Sequence, residues 1–162
     1  MALRVDLDKH VFQDDDIIIP GGSALPEVTS SALGYSNLNT MSNFITSWWA
    51  VTEPFIMEHH TVLHDFDQLL FFCGGDTTNM TEFGGKVEFY LGDEQGNVEK
   101  LLITKPTVIY VRAGMHHCPL KFIEIYDPKK PILFQDITLS GVYSRFRPGS
   151  NVRLNAQDEP ME

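Results

Sequence analysis

Five of the six histidines fall into two tight groups, His59, His60 and His64, then His116 and His117. Imidazole titrates near neutrality and is the commonest side-chain ligand for transition metals. A site assembled from two strands that meet in space needs its donors divided between two such groups. Strand parity sorts them. Side chains alternate faces, so His64, Phe66 and Gln68 share one face if their run is extended, and Asp65, Asp67 and Leu69 share the other. His116 and His117 point opposite ways, so one of the two faces inward unless a bulge intervenes. His117 stands three residues after Gly114, just beyond a turn. By this parity Cys118 points away from the interior, and Asp65 and Asp67 belong to solvent or to turns. Trp48 and Trp49 also stand on opposite faces, one inward and one outward.

The elements that must position these residues are short and rich in β-formers. Runs at 44–51, 69–73, 87–91, 101–104, 107–111, 122–126 and 132–139 are separated by Gly, Pro, Asn and Asp clusters. The segment Gly92-Asp93-Glu94-Gln95-Gly96-Asn97 reads as a hairpin connection. No stretch from 44 to 140 carries sustained helical periodicity. This spacing of strands predicts an all-β sandwich or barrel. Residues 1–43 hold turn formers such as Pro20-Gly21-Gly22-Ser23 and one apolar run, Ile17-Ile18-Ile19, and read as an N-terminal arm packed on the barrel. The barrel is expected over 44–146, and 147–162 reads as a polar, frayed C-terminal tail.

The composition narrows the partners. The 162-residue chain carries a formal net charge of −10, which repels phosphate backbones and anionic lipid, so neither nucleic acid nor a membrane is expected as partner. No run approaches the roughly 18 apolar residues of a membrane helix. Met1–Asp6 turns acidic at once, unlike a secretion signal. With two cysteines, Cys73 and Cys118, the expectation is a cytoplasmic protein with free thiols. No G-x-S-x-G elbow, phosphate loop or C-x-x-C is present.

With these residues in place the chain resembles the cupin superfamily. That family's motifs read G-x5-H-x-H-x3,4-E-x6-G and G-x5-P-x-G-x2-H-x3-N, and His64, Gly75, Gly114 and His117 stand at matching intervals. The phrases His64-Asp65-Phe66-Asp67-Gln68, Gly74-Gly75-Asp76, Gly84-Gly85-Lys86-Val87-Glu88, Leu91-Gly92-Asp93-Glu94 and His117-Cys118-Pro119-Leu120 are similar to one group of small cupins. The resemblance covers residues 44 to 140 and implies a double-stranded β-helix, or jelly-roll barrel, with its site in the interior.

The departures bear on the chemistry. The family's first histidine falls on Val62, its glutamate on Gln68, its motif-two proline on Arg112 and its closing asparagine on Lys121. Of the four ligands the family uses, His64 and His117 remain. Gln68 offers a neutral amide oxygen, weaker than a carboxylate toward Fe or Mn. His60 has the parity of Val62 but stands about 6.6 Å further along a regular strand, so only a bulge brings His60 or His59 inward.

The ligand set expected for one divalent ion (Fe, Mn, Ni or Zn) is therefore His60, His64, Gln68 and His117. Without metal, His64 and His117 would serve as acid and base. The resemblance implies an enzyme acting on a small organic molecule in the cavity. Loss of the carboxylate favours non-redox lyase, cyclase, isomerase or decarboxylase chemistry. The alternatives are a non-catalytic binding cupin without metal and a metal-dependent dioxygenase. A homodimer is expected.

Overall fold

The structure is a computed structural model that describes residues 29–35 and 43–161. Nine strands run in chain order: β1 (Thr29–Tyr35), β2 (Ile45–Val51), β3 (Phe55–Glu58), β4 (Gln68–Gly74), β5 (Gly85–Gly92), β6 (Val98–Ile103), β7 (Thr107–Val111), β8 (His117–Ile125) and β9 (Ile132–Thr138). They form two sheets, ordered β1-β2-β9-β4-β7 and β3-β8-β5-β6, and every neighbouring pair is antiparallel. Apart from the β5–β6 hairpin, consecutive strands from β2 to β9 cross from one sheet to the other. This interleaving makes a jelly roll, the double-stranded β-helix expected from the sequence. No helix occurs among the described residues, so none is long and apolar enough to cross a membrane.

Alternation sets the inner face. In β4 the side chains of Gln68, Leu70 and Phe72 are buried, with Leu69, Phe71 and Cys73 between them only partly so. Both cysteines are free. The β5–β6 connection is the expected hairpin: Asp93 N–H donates to Asn97 O at 3.0 Å, the Asp93 carboxylate accepts from Gln95 and Asn97 N–H, and Gly96 takes φ 87°.

Three elements differ from the sequence reading. β1 and β3 were not legible as separate strands, being a small-residue run and a four-residue piece behind Pro54. β1 lies within the expected arm and pairs with β2; the rest of that arm, including Ile17-Ile18-Ile19 and Pro20–Ser23, lies outside the described residues. β8 begins at His117, five residues earlier than expected, because His117 pairs with Leu91 and Leu120 with Phe89 across an irregularity at Cys118 and Pro119. Cys118 has φ 66° and a register shift falls opposite, between Phe89 and Leu91. This irregularity breaks parity, so His117 and Cys118 are both buried. Cys118 is thus a core residue and not an outward one.

The C-terminal segment, expected to fray, is held by tertiary bonds. Leu63 and Phe146 exchange backbone hydrogen bonds, as do Arg145 and Leu154. Buried Arg145 pairs with Glu58 and with Asp158 (2.9 Å), and Arg153 pairs with Asp65 at 2.7 Å. Polarity therefore did not mean disorder here, because each of these charges found a partner across the barrel end.

The interior is graded. At one end Phe72, Phe89, Phe122, Ile132 and Phe134 fill it; Phe122 stacks on Phe55 at 5.2 Å between ring centroids and meets Phe134 edge-on at 5.9 Å. Phe122→Ala should cost about 3–5 kcal/mol through lost burial and an unfilled cavity. Chemical denaturation monitored by tryptophan fluorescence checks this, and a loss below about 1 kcal/mol would contradict the packing.

Candidate functional site

The other end of the interior is polar. Val62, His64, Phe66 and Gln68 are all buried and share the inner face expected of them, while Asp65 and Asp67 turn outward. Asp67 accepts from Tyr110 Oη (2.5 Å) and Ala113 N–H, and Asp65 accepts from Ser144 Oγ. Val62 and His117 exchange both backbone hydrogen bonds at 2.9 Å, which sets their side chains beside each other on one face. The turn with Gly114 at φ 82° donates its N–H to His64 O at 2.8 Å and so links the two histidine-bearing segments.

His64 and His117 are in contact, with ring centroids 4.8 Å apart, and are 4% and 2% exposed. Each is tied by Nδ1 to a backbone carbonyl. His64 Nδ1–H donates to Ser144 O at 2.6 Å, and His117 Nδ1–H to Met115 O at 3.0 Å. A carbonyl can only accept, so each Nδ1 carries the proton and each Nε2 keeps its lone pair. Phe66 stacks on His64 at 4.6 Å and Tyr143 meets its edge at 5.3 Å, fixing the ring further.

Burial, and then the neighbouring His117, lower the His64 pKa to about 3 against the opposing bond to Ser144. Burial likewise lowers His117 to about 4. Both are therefore neutral at pH 7. The arrangement is a pair of fixed imidazoles, each bonded through Nδ1–H and each with an unshared Nε2 lone pair.

Gln68 is 5% exposed. Its Nε2 donates to Asp136 Oδ1 at 2.9 Å, and its Oε1 is buried with no hydrogen-bond partner. Asp136 is a functional candidate that the sequence reading missed. Gln135 and Asp136 are adjacent polar residues in β9, and alternation obliges one to face inward; that was the available signal. Pairing of Leu70 with Asp136 and of Gln68 with Thr138 puts Gln68 and Asp136 diagonally on the inner face. Desolvation raises the Asp136 pKa to about 7, against the lowering effect of the Gln68 amide.

His60 is not brought to the pair. The chain turns after Glu58, whose carboxylate accepts His60 N–H at 2.9 Å, and both His59 and His60 are exposed. Val62 takes the inward place. His116 is held by its Nδ1 against Asp93 O (3.1 Å) beside the β5–β6 turn. Among the described residues no group of three His, Cys, Asp or Glu side chains is close enough to hold a metal ion. What meets inside is His64 and His117, and Gln68 is buried in the same stretch of chain with its amide bonded to Asp136. Trp49 faces the core, its indole N–H donating to Ser47 Oγ at 2.9 Å, and Trp48 faces out.

The strand order and its interleaved connections define a jelly-roll barrel whose interior holds a contacting pair of histidines. Among solved structures the chain is similar to oxalate decarboxylase from Bacillus subtilis, at 16% identity and TM-score 0.47 over 72% of this chain and 27% of that one. It is also similar to a structure of that enzyme described for its Mn(II) centres (15%, 0.47, 90% and 37%) and to a single-site mutant of it (14%, 0.48, 90% and 37%). The chain spans between a quarter and two fifths of the length of these proteins. No protein-family model and no curated protein matches it.

The pKa shifts set a pH dependence of stability. Between pH 6.5 and about 4 the unfolded chain protonates two histidines that the folded apoprotein leaves neutral, so stability falls as pH falls. Asp136 acts in the opposite sense, since the fold keeps its proton up to about pH 7. The net is one proton, so stability falls on acidification by on the order of 1 kcal/mol per pH unit. Urea denaturation from pH 6.5 to 4.5 should show this slope in wild type and roughly twice it in Asp136→Asn. Equal slopes would contradict the assignment.

Proposed function

We propose that the protein is a cupin-type enzyme whose interior site binds one divalent metal ion weakly and acts on a small organic molecule without redox change. The observation that carries this is the His64–His117 pair: two neutral imidazoles in contact, each fixed by Nδ1–H so that only the Nε2 lone pair is available. Such donors suit a cation better than proton transfer. The orphaned Oε1 of Gln68 adds a third donor, and a buried amide oxygen without partner is unfavourable unless a ligand satisfies it. A bound divalent ion would supply Lewis acidity toward a carbonyl or enolate oxygen.

The chain's own residues then bind and orient. His64 and His117 would hold the ion, Gln68 would contribute through Oε1, and Phe66 and Tyr143, packed against His64, would help exclude water. Two nitrogens and a neutral oxygen make a weaker set than the family's three histidines and carboxylate, which favours elimination, isomerisation or decarboxylation over oxygen activation.

Calorimetric titration of apoprotein with Mn(II), Ni(II) or Zn(II) should give weak binding near one ion per chain. His64→Ala and His117→Ala should each abolish it. Val62→His should tighten it about tenfold or more, because position 62 stands beside His117 in the ladder. Full binding by both alanine variants would remove the site from consideration.

A homodimer is also proposed. Trp48, Gln135, Phe71 and Val108 form a lateral row across the outer face of the five-stranded sheet, with a groove of about 250 Å³ along it. Trp48 and Val108 are 45% and 56% exposed, and an apolar surface of this kind suits a second copy of itself. Light scattering should give twice 18.3 kDa, and Val108→Glu should return the monomer. A wild-type monomer at all concentrations would refute it.

A further inference from the structure

We infer that Asp136 is a positioning residue for the metal-binding set: it engages the NH2 group of Gln68 so that Oε1 is the end left free to ligate, and it places on β9 the carboxyl group absent from position 68. This rests on the metal-binding reading above, but its structural half stands apart from it.

The amide of a glutamine has a donor end and an acceptor end of nearly equal size, and without a neighbour to choose between them either can face a cavity. Here the neighbour chooses. The Asp136 carboxyl oxygen Oδ1 accepts from Gln68 Nε2 at 2.9 Å, which engages the donor end of the amide. The donor end is thereby committed to β9, and the acceptor end is left buried and unpartnered. Metal ions take the amide oxygen and not an NH2 group already engaged in bonding, so this orientation is the productive one.

Asp136 is itself held. Its backbone carbonyl accepts from Thr46 Oγ1 at 2.8 Å, and the β4–β9 and β2–β9 ladders fix its place between Leu70 and Ser47. Gln68 and Asp136 thus form a matched donor–acceptor pair on two strands. Exchanging the two side-chain types should preserve the pair with its polarity reversed, while placing a second carboxylate at 68 should set two like charges against each other.

The experiment is a double-mutant cycle on the full chain with Gln68→Glu, Asp136→Asn and the two combined, read by thermal stability of the apoprotein and by Mn(II) affinity. Gln68→Glu should lower the melting temperature by several degrees in the wild-type background and by much less in the Asp136→Asn background. Asp136→Asn alone should weaken Mn(II) binding about ten- to a hundredfold, since an amide at that position can meet either end of the Gln68 amide and no longer selects one. The combined variant, with a carboxylate among the ligands, should bind Mn(II) more tightly than wild type. Additive effects on stability would overturn the pairing. Non-additive stability with Mn(II) affinity unmoved by Asp136→Asn would overturn the positioning role while leaving the His64–His117 site standing. Coupled stability in a protein that binds no metal would uphold the pair and refute the metal-binding function instead.

Discussion

Two imidazoles in contact inside a protein tolerate each other only while both are neutral, and the polar end of this barrel is organised around that condition. His64 and His117 are out of water, so a proton on either would sit uncompensated beside the other. The fold meets the constraint by committing each Nδ1–H to a main-chain carbonyl, Ser144 O and Met115 O. Main-chain acceptors bring no charge, and so they fix tautomer and ring orientation without drawing a second proton in.

The need for those carbonyls explains the course of the surrounding chain. Met115 O reaches His117 because the Gly114 turn folds back just before β8. Ser144 O reaches His64 because the C-terminal segment crosses the barrel end, pinned through Leu63–Phe146 and through Arg145 to Glu58. That segment is polar in sequence yet is part of the site's scaffold. Glu58 serves twice here, capping the turn that leaves His60 outside and anchoring the arginine that brings Ser144 in.

The same separation of charge from geometry governs Gln68. A jelly roll that carried a carboxylate on β4 would have its anion in the site; this one holds an amide on β4 and a carboxylate one strand away on β9, joined by one hydrogen bond. The site loses charge and keeps geometry. Between the polar end and the aromatic end, defined by Phe72, Phe122 and Phe134, the interior changes character within a few residues of each strand. The barrel interior is a hydrophobic core at one end and holds buried polar side chains at the other.

The alternation of 62, 64, 66 and 68, the Asp93–Asn97 hairpin and the opposite facing of Trp48 and Trp49 were legible in the sequence. They depend on a two-residue period and on turn chemistry, both local. Parity failed where the backbone leaves the regular strand: at Cys118, whose φ 66° buries it next to His117, and after Glu58, where the turn exposes His60. The partners of the site residues were beyond sequence altogether. Ser144 lies 80 residues from His64, and Asp136 lies 68 residues from Gln68. Which strand lies beside which is decided when two sheets close on a shared core. Only then did one of two adjacent polar residues in β9 become the neighbour of Gln68.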